Sequence, residues 1–302
     1  MMASGSNVPP PIDKVWKSRE DSLRYGQRQV VNMDSEQIEN AVKVSYGKLP
    51  YKADLEPILL ASMDLYGDKK LQLIGTAFPF FCGGWIGLIT AAHTINNLSG
   101  NPIVAIIGAK KLHVQNAQIT FLNEIDVAVI QCSSEDLNSL FDECLCIEPD
   151  MDRTSNEESG TDAIYQVYGY PKSKNKFSRL EITNPSIYRI TLGLHKNRPI
   201  RTKLAKEFPL MCFDLGIKNM FDDEFNKTLQ LGCFEGMSGG PVIRHKISSH
   251  DSDGQLVGML VEWHRKEKTA VVIPAVVIAA LISAHMLETS VFQAAENCFN
   301  LQ

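Results

Sequence analysis

From residue 70 onward the chain consists of short apolar runs, rich in β-branched and aromatic residues, that are separated by Gly, Asn, Pro or charged residues. Such runs are typical of β-strands, and a helix-poor pattern of this kind disfavours alternating β-α units. The runs are LQLIGTAFPFF, GWIGLITAAH, IVAIIGA, KLHVQNAQITFL and DVAVIQC, followed by AIYQVYGYP, RLEITNPSIYRITLGL, LMCFDLG, PVIRHKI and LVGMLVEWH. The pattern predicts a mainly β protein with a first antiparallel barrel of five or six strands, followed by a second β unit of like size in tandem.

The two sets of runs are separated by EPDMDRTSNEESGTD at 148–162, a polar and acidic stretch that is typical of a linker. We therefore predict a first barrel over 70–150 and a second barrel with a C-terminal helix over 151–287. Residues 1–69 are predicted to form an N-terminal tail and helical extension, because SEQIENAVKVSYGKL spaces its apolar residues as a helix does. Within that range, DLEPILLASMDLYGD fits either a helical turn or a strand. A further tail is predicted over 288–302.

One apolar stretch, TAVVIPAVVIAALISAHML between Lys268 and Glu288, lacks charged residues and is about as long as a minimal membrane span. Pro274 divides it into a β-branched run, Thr269 to Ile273, and a helix-like run, Ala275 to Leu287. We therefore expect a closing strand and a C-terminal helix, and no membrane span.

Charge and cysteine usage narrow the partners and the compartment. The formal net charge is -5 and no long run of Lys and Arg is present, so nucleic acid is not an expected partner. Seven scattered cysteines favour reduced thiols over a disulfide framework. Cys144 and Cys146 form only a C-x-C, and no neighbouring pair completes a zinc site, so no metal is expected.

Three prolines, Pro9 to Pro11, and mixed charges occupy the place of a signal's apolar segment, which favours a cytoplasmic location.

The strongest chemical signal is the turn Gly236-Met237-Ser238-Gly239-Gly240, which is followed by Pro241 and Val242. Glycines allow a tight turn to hold a serine hydroxyl outward and to point backbone N–H groups at the oxygen of an attacked carbonyl. Alone, such a sequence is more often only a turn. With suitable partners, it makes Ser238 a candidate nucleophile.

Two candidate partners lie in the first set of runs. His93 ends the run Thr90-Ala91-Ala92-His93, in which small residues let the backbone pass close behind an imidazole that faces a cleft. Asp126 precedes an apolar strand, where a carboxylate is costly unless it has a partner such as an imidazole N–H. Each residue alone fits a purely structural role as well.

Together, the three segments resemble the chymotrypsin/trypsin-like serine proteases in residue type and in the chain order His, Asp, Ser. In that family the His ends a T-A-A-H run, the Asp begins a D-[IV]-A strand and the Ser lies in G-x-S-G-G-P. The closing strand and C-terminal helix are similar to those of intracellular Deg-type (high-temperature-requirement-like) members. The resemblance covers about residues 70–287 and implies two six-stranded antiparallel β-barrels with a cleft between them. It further implies His93 as general base, Asp126 as orienting acid and Ser238 as nucleophile.

The resemblance also implies a polypeptide substrate, no cofactor, and an oxyanion hole formed by the backbone N–H groups of Gly236 and Ser238. Residues 257–263 look like the strand that pairs with the substrate backbone in this family. The residues implied in substrate binding are Gly232, Cys233, Phe234, Glu262, Trp263 and His264.

The residue before the cut bond is expected to be uncharged and of small to medium apolar size. Gly232 lies six residues before Ser238, where basic-specific members of the family carry Asp. Burial of a cation without a counter-charge is strongly unfavourable, whereas burial of an aliphatic side chain is favourable. Glu262 leaves a basic side chain as an alternative, and His264 leaves an acidic or amide one.

The chain departs from the secreted digestive members of the family at two positions. Thr94 follows the candidate His and Met237 precedes the candidate Ser, where those members have Cys and Asp, so activation by insertion of a new N-terminus is not supported. Two other functions stay open: a latent, protease-like scaffold that binds peptide, and an α/β-hydrolase esterase. The esterase needs a helix directly after Ser238, which Pro241 disfavours.

Overall fold

The computed structural model describes residues 57–63, 71–82, 85–96, 98, 101–108, 110–114, 117–133, 135–136, 163–175, 177, 185–193, 199, 201–204, 210–215, 220–221, 234–246 and 254–282. Within these ranges, fourteen strands form two antiparallel sheets of seven strands each. The predicted mainly β class with two antiparallel units is therefore confirmed. The count of six strands in each unit is wrong, because each sheet contains one strand more.

The strands of the first sheet are β1 (Ile58–Met63), β2 (Leu71–Cys82), β3 (Trp85–Ala91), β4 (Ile103–Ile107), β5 (Lys110–His113), β6 (Ile119–Leu122) and β7 (Val127–Gln131). Their spatial order is β5-β4-β1-β2-β3-β7-β6. β1 pairs with β2 on one side and with β4 on the other, so it is a central strand of the sheet.

β1 lies within the range 1–69 that was predicted to form an N-terminal extension, so the first sheet begins earlier than residue 70. Residues 58–62 are all buried, on both faces of the strand. A strand of this kind is a continuous apolar run without alternation, and such a run cannot be distinguished from a helical segment by its periodicity. The predicted N-terminal helix lies outside the described residues.

The strands of the second sheet are β8 (Ala163–Gly169), β9 (Tyr188–Leu192), β10 (Met211–Asp214), β11 (Met220–Phe221), β12 (Pro241–Lys246), β13 (Gln255–His264) and β14 (Thr269–Pro274). Their spatial order is β10-β14-β13-β12-β8-β9-β11. The strand β11 has only two residues, too few for a pattern that sequence analysis can detect.

The helical segments of the described ranges are α1 (Ala92–Ile95), a 3₁₀ helix (Asn123–Ile125) and α2 (residues 275–282). α2 begins directly after Pro274, as predicted for the boundary between a closing strand and a C-terminal helix. Proline is compatible with this place because the first N–H groups of a helix have no partner within the helix. Among the described residues, no helical segment meets the length and hydropathy of a membrane span.

One apolar cluster joins the two sheets and α2. Phe78 and Val127 of the first sheet, Met259 and Ile273 of the second, and Ile278 of α2 are each at most 1% exposed within it. Burial of one such side chain contributes about 1.5 to 3 kcal/mol. The two sheets are thereby packed against each other, and the candidate site lies where they meet.

A second buried group is polar and lies on neighbouring strands of the second sheet. The Tyr168 hydroxyl donates to Gln166 Oε1 (3.0 Å) and lies 3.2 Å from His245 Nε2. Because the only hydroxyl hydrogen goes to Gln166, Nε2–H of His245 donates to the tyrosine oxygen. Burial, and then the nearby Arg189 guanidinium, lower the pKa of His245 to about 4, so His245 is neutral at pH 7.

We expect His245 to make the protein less stable in acid. Between about pH 6.5 and pH 4 the unfolded chain binds a proton at this imidazole and the folded chain does not, so the free energy of unfolding falls as the pH falls. The full loss is about 3 kcal/mol. Urea unfolding at pH 7 and pH 4.5 measures it, and His245→Gln should lose correspondingly less. Equal pH dependence in parent and variant would contradict the assignment.

Candidate active site

His93 lies in α1, immediately after β3. The two residues before it, Ala91 and Ala92, are buried and small, which lets this stretch of backbone pack closely against the first sheet. Ala92 N–H donates to the backbone carbonyl of Asp126 (2.9 Å). The backbone next to His93 is thereby held in place, while the His93 side chain is 49% exposed and accessible.

Asp126 holds His93 through both carboxylate oxygens. Its Oδ1 accepts the backbone N–H of His93 at 2.9 Å, and its Oδ2 lies 2.6 Å from His93 Nδ1. A carboxylate only accepts, so Nδ1 carries the proton and Nε2 is left to accept another. Asp126 follows the 3₁₀ helix in a left-handed conformation with φ of 55°, which Asp adopts more readily than most residues.

Ser238 lies on a turn that is held between the two sheets. Its carbonyl accepts the backbone N–H of Thr76 in β2 (3.0 Å), and the next residue, Gly239, donates its N–H to Leu260 in β13 (2.8 Å). Gly239 has φ of 88°, and a Cβ there would lie 2.0 Å from the Thr76 carbonyl oxygen. Only glycine fits this position.

The Ser238 turn lies against the chain segment that carries His93. A Cβ on Gly239 would lie 3.0 Å from the backbone nitrogen of Ala91. A Cβ on Gly75 would contact both the side chain of Thr94 and the carbonyl oxygen of Ser238. Among the hydrogen bonds of the described residues, none joins the Ser238 hydroxyl to His93. Catalytic hydrogen bonds are often long without substrate and shorten when it binds.

The residues before Ser238 form a turn in which Met237 N–H donates to the Phe234 carbonyl (2.9 Å). The Glu235 carbonyl accepts the backbone N–H of Lys172 (2.7 Å), in the loop after β8. The carbonyl and N–H of a trans peptide point in opposite directions, so the N–H of Gly236 points away from Lys172. Within the described residues, neither this N–H nor that of Ser238 donates to a backbone carbonyl.

The residues implied in substrate binding fall into two pairs. The rings of Phe234 and Trp263 are in contact, with centroids 4.4 Å apart. Glu262 Oε2 lies 2.7 Å from His264 Nε2, and its other oxygen accepts the backbone N–H of Lys203 (3.0 Å). Glu262 and His264 are two residues apart on one strand face, and Trp263 lies on the other. Gly232 and Cys233 lie outside the described residues.

Three residues of this site were not recognised in the sequence, Thr76, Lys172 and Lys203. Lys172 and Lys203 act through their backbone N–H, a group that every residue except proline has, so the sequence carries no signal for them. Thr76 carries a weak one, because a hydroxyl within the apolar run LQLIGTAFPFF needs a buried partner. In the described ranges, no group of three or more His, Cys, Asp or Glu side chains is placed to hold a metal ion.

The arrangement around Ser238 differs from a nucleophile elbow. Ser238 and its glycines are followed by the antiparallel strand β12, which begins at Pro241, and not by a helix. An α/β-hydrolase requires a helix at this place and a mainly parallel sheet. The esterase alternative is therefore wrong for this chain.

No protein-family model and no curated protein match the chain. Similar solved structures include the serine endoprotease from Yersinia pestis, with a TM-score of 0.46 and 15% identity over 84% of this chain and 67% of that one. Another is the active form of the Rv3671c protease from M. tuberculosis, with a TM-score of 0.43 and 17% identity over 84% and 89% of the two chains. The HtrA-type protease AlgW with a tripeptide has a TM-score of 0.45 and 15% identity over 82% and 64%.

By their names, these three are a serine endoprotease, a protease and an HtrA-type protease.

Proposed function

We propose that this chain is a serine endopeptidase that forms an acyl-enzyme on Ser238, with His93 as general base and Asp126 as its orienting acid. The observation that carries the proposal is the 2.6 Å contact of Asp126 Oδ2 with His93 Nδ1, beside a Ser238 turn that is hydrogen-bonded to the same sheet. This contact leaves Nε2 as the proton acceptor that a serine nucleophile requires.

The proposed reaction has two halves. Ser238 Oγ attacks the peptide carbonyl carbon while its proton passes to His93 Nε2, and the N–H groups of Gly236 and Ser238 stabilise the negative oxygen. The C–N bond then breaks and the imidazolium gives its proton to the leaving amine. Water, activated by the same imidazole, hydrolyses the acyl-enzyme and restores Ser238.

The shape of β13 supports a polypeptide as substrate. β13 pairs with β12 only as far as Met259, and the turn glycines then bond Leu260. Beyond that point, residues 262–264 pair with β14 on one side, and among the described strands none pairs with them on the other. An extended peptide that adds to this edge is bound through its backbone, next to Ser238.

The surroundings support an uncharged, small to medium residue before the cut bond. The contacting rings of Phe234 and Trp263 occupy space beside the Ser238 turn. Both oxygens of Glu262 already have partners, His264 and Lys203 N–H, so Glu262 has fewer acceptor sites left for a substrate cation. The cytoplasmic location stays a proposal from the sequence.

Digestion of a mixed peptide library with the full chain tests the function and the preference together. We expect internal cleavage after small or medium apolar residues, with covalent labelling of the protein by a fluorophosphonate probe. Dominant cleavage after Arg or Lys that disappears in Glu262→Gln would overturn the preference and leave the peptidase function standing. A lack of both cleavage and labelling would overturn the function.

Lys172→Pro should reduce kcat by about 100-fold, because it removes the N–H that holds the Glu235 carbonyl and thereby directs the N–H of Gly236. The matched control is Lys172→Ala, which keeps the backbone N–H and removes only the exposed ion pair with Glu235 (2.8 Å). Exposed pairs contribute little, so this control should stay within about twofold of the parent. Equal losses in the two variants would contradict the role of the backbone bond.

A further inference from the structure

Thr76 is a fully buried residue of β2 in the first sheet, and it contacts the Ser238 turn of the second sheet with both its side chain and its backbone. Its hydroxyl donates to the Gly236 carbonyl at 2.7 Å. Its backbone N–H donates to the Ser238 carbonyl at 3.0 Å. One residue therefore holds the carbonyl groups of both residues whose N–H groups are the proposed oxyanion donors.

The same hydroxyl also fastens the neighbouring loop. It accepts the backbone N–H of Tyr170 at 3.1 Å, two residues before Lys172, whose N–H holds the Glu235 carbonyl. Gly236 is thus fixed on both sides: Lys172 holds the carbonyl of the preceding peptide, and Thr76 holds its own. Gly236 has a φ of 95°. Because glycine lacks a Cβ, its backbone can also adopt other conformations.

The Thr76 hydroxyl both donates and accepts a hydrogen bond within the protein. It gives its only hydrogen to Gly236 and accepts one from Tyr170, which satisfies a polar group that is costly to bury in an apolar strand. The position is further defined by the Thr90 hydroxyl, which donates to the Thr76 carbonyl at 2.7 Å. Three hydrogen bonds of Thr76, to the Gly236 carbonyl, the Ser238 carbonyl and the Tyr170 N–H, thus join β2 to the turn and to the neighbouring loop.

We propose that Thr76 is a positioning residue that holds the Gly236–Ser238 turn in the conformation in which its N–H groups bind the oxyanion. This proposal rests on the proposed peptidase function. Loss of the hydroxyl removes the partner of two buried backbone groups, and the turn then relaxes toward conformations in which the Gly236 N–H no longer points at the substrate. The ground-state binding of a peptide along β13 does not involve Thr76, so kcat should change and KM should not.

The test compares Thr76→Val, Thr76→Ala and Thr76→Ser in the full chain. The valine and alanine variants should lose about 100-fold in kcat, with KM within about threefold of the parent, and Thr76→Ser should restore most of the loss. Thr191→Val is the matched control, because it also removes a buried threonine hydroxyl from a strand, away from the turn. This control should keep the parent kcat.

Amide hydrogen exchange supplies a readout that does not need catalysis. The N–H groups of Lys172 and Met237 donate to the carbonyls of Glu235 and Phe234. Both should exchange at least tenfold faster in Thr76→Val and at the parent rate in Thr76→Ser, while the N–H groups of β7 keep their exchange rates. Unchanged exchange and kcat in Thr76→Val, an equal loss in Thr76→Ser, or loss of folding in both the valine and alanine variants would overturn the proposal. If the parent itself hydrolyses no peptide, the proposed function fails, and the exchange rates still decide the role of Thr76.

Discussion

Ser238→Ala is expected to lower the rate of peptide hydrolysis by about 10⁶-fold, because no other group among the described residues of the site is placed to form the acyl-enzyme. The fold should be unaffected, since the half-buried Ser238 side chain makes no hydrogen bond to the described residues. The measurement is kcat on a peptide cleaved by the parent, with circular dichroism and the melting temperature as controls for folding. Binding of that peptide to Ser238→Ala should remain within a few fold of the parent KM.

His93→Ala provides the matching test of a shared mechanism. Because the residues of a triad act as a unit, the double variant Ser238→Ala with His93→Ala should be no slower than either single variant. Near-parent hydrolysis by Ser238→Ala would show that the nucleophile is another residue. Peptide binding by a parent chain that neither cleaves peptide nor reacts with a fluorophosphonate would favour the latent scaffold.

Asp126→Asn is expected to lower kcat by about 10⁴-fold and to leave the structure intact. The carboxylate accepts two hydrogen bonds from His93, from the backbone N–H and from Nδ1. An amide has only one oxygen, which is needed by the backbone N–H of His93 because that group can only donate. The NH₂ group then faces Nδ1 and favours the tautomer in which Nδ1 is unprotonated. Nε2 then carries the proton and no longer accepts that of Ser238.

The control for this substitution is Asp136→Asn. Asp136 also accepts two hydrogen bonds, from the N–H and hydroxyl of Ser133, but it lies at the surface after β7. Its kcat should stay at the parent value. A loss below about tenfold in Asp126→Asn, measured as kcat at pH 8, would mean that Asp126 does not set the tautomer of His93.

Local sequence patterns were sufficient for most of the fold. The runs that became β2, β3, β4, β7, β8 and β13 were recognisable because the preference for strands acts within a few residues. Pro274 likewise marked the change from β14 to α2, because the effect of proline on the backbone is local. β1 was assigned to the N-terminal extension, since its burial on both faces removes the alternation that identifies a strand.

For the candidate site, the sequence determined which residue types are available and in what order. The structure brings His93 and Asp126 into contact, as the resemblance implied, and their catalytic roles stay proposals. Besides the expected apolar substrate residue, the sequence left a basic one open because of Glu262, and an acidic or amide one because of His264. The tertiary structure pairs these two side chains with each other and adds Lys203 N–H, a backbone group that no sequence pattern identifies.

Only the tertiary structure showed how the turn at Ser238 is held. The residue types that this turn needs, Ser238 and its glycines, occur within five consecutive residues. They could be recognised in the sequence because the conformations that glycine allows are a local property. The conformation that the turn adopts depends on Thr76, whose hydroxyl reaches Gly236 across 160 positions of the chain. A hydrogen bond between such distant residues depends on how two sheets pack, and packing is decided by the whole apolar core rather than by any segment of the sequence.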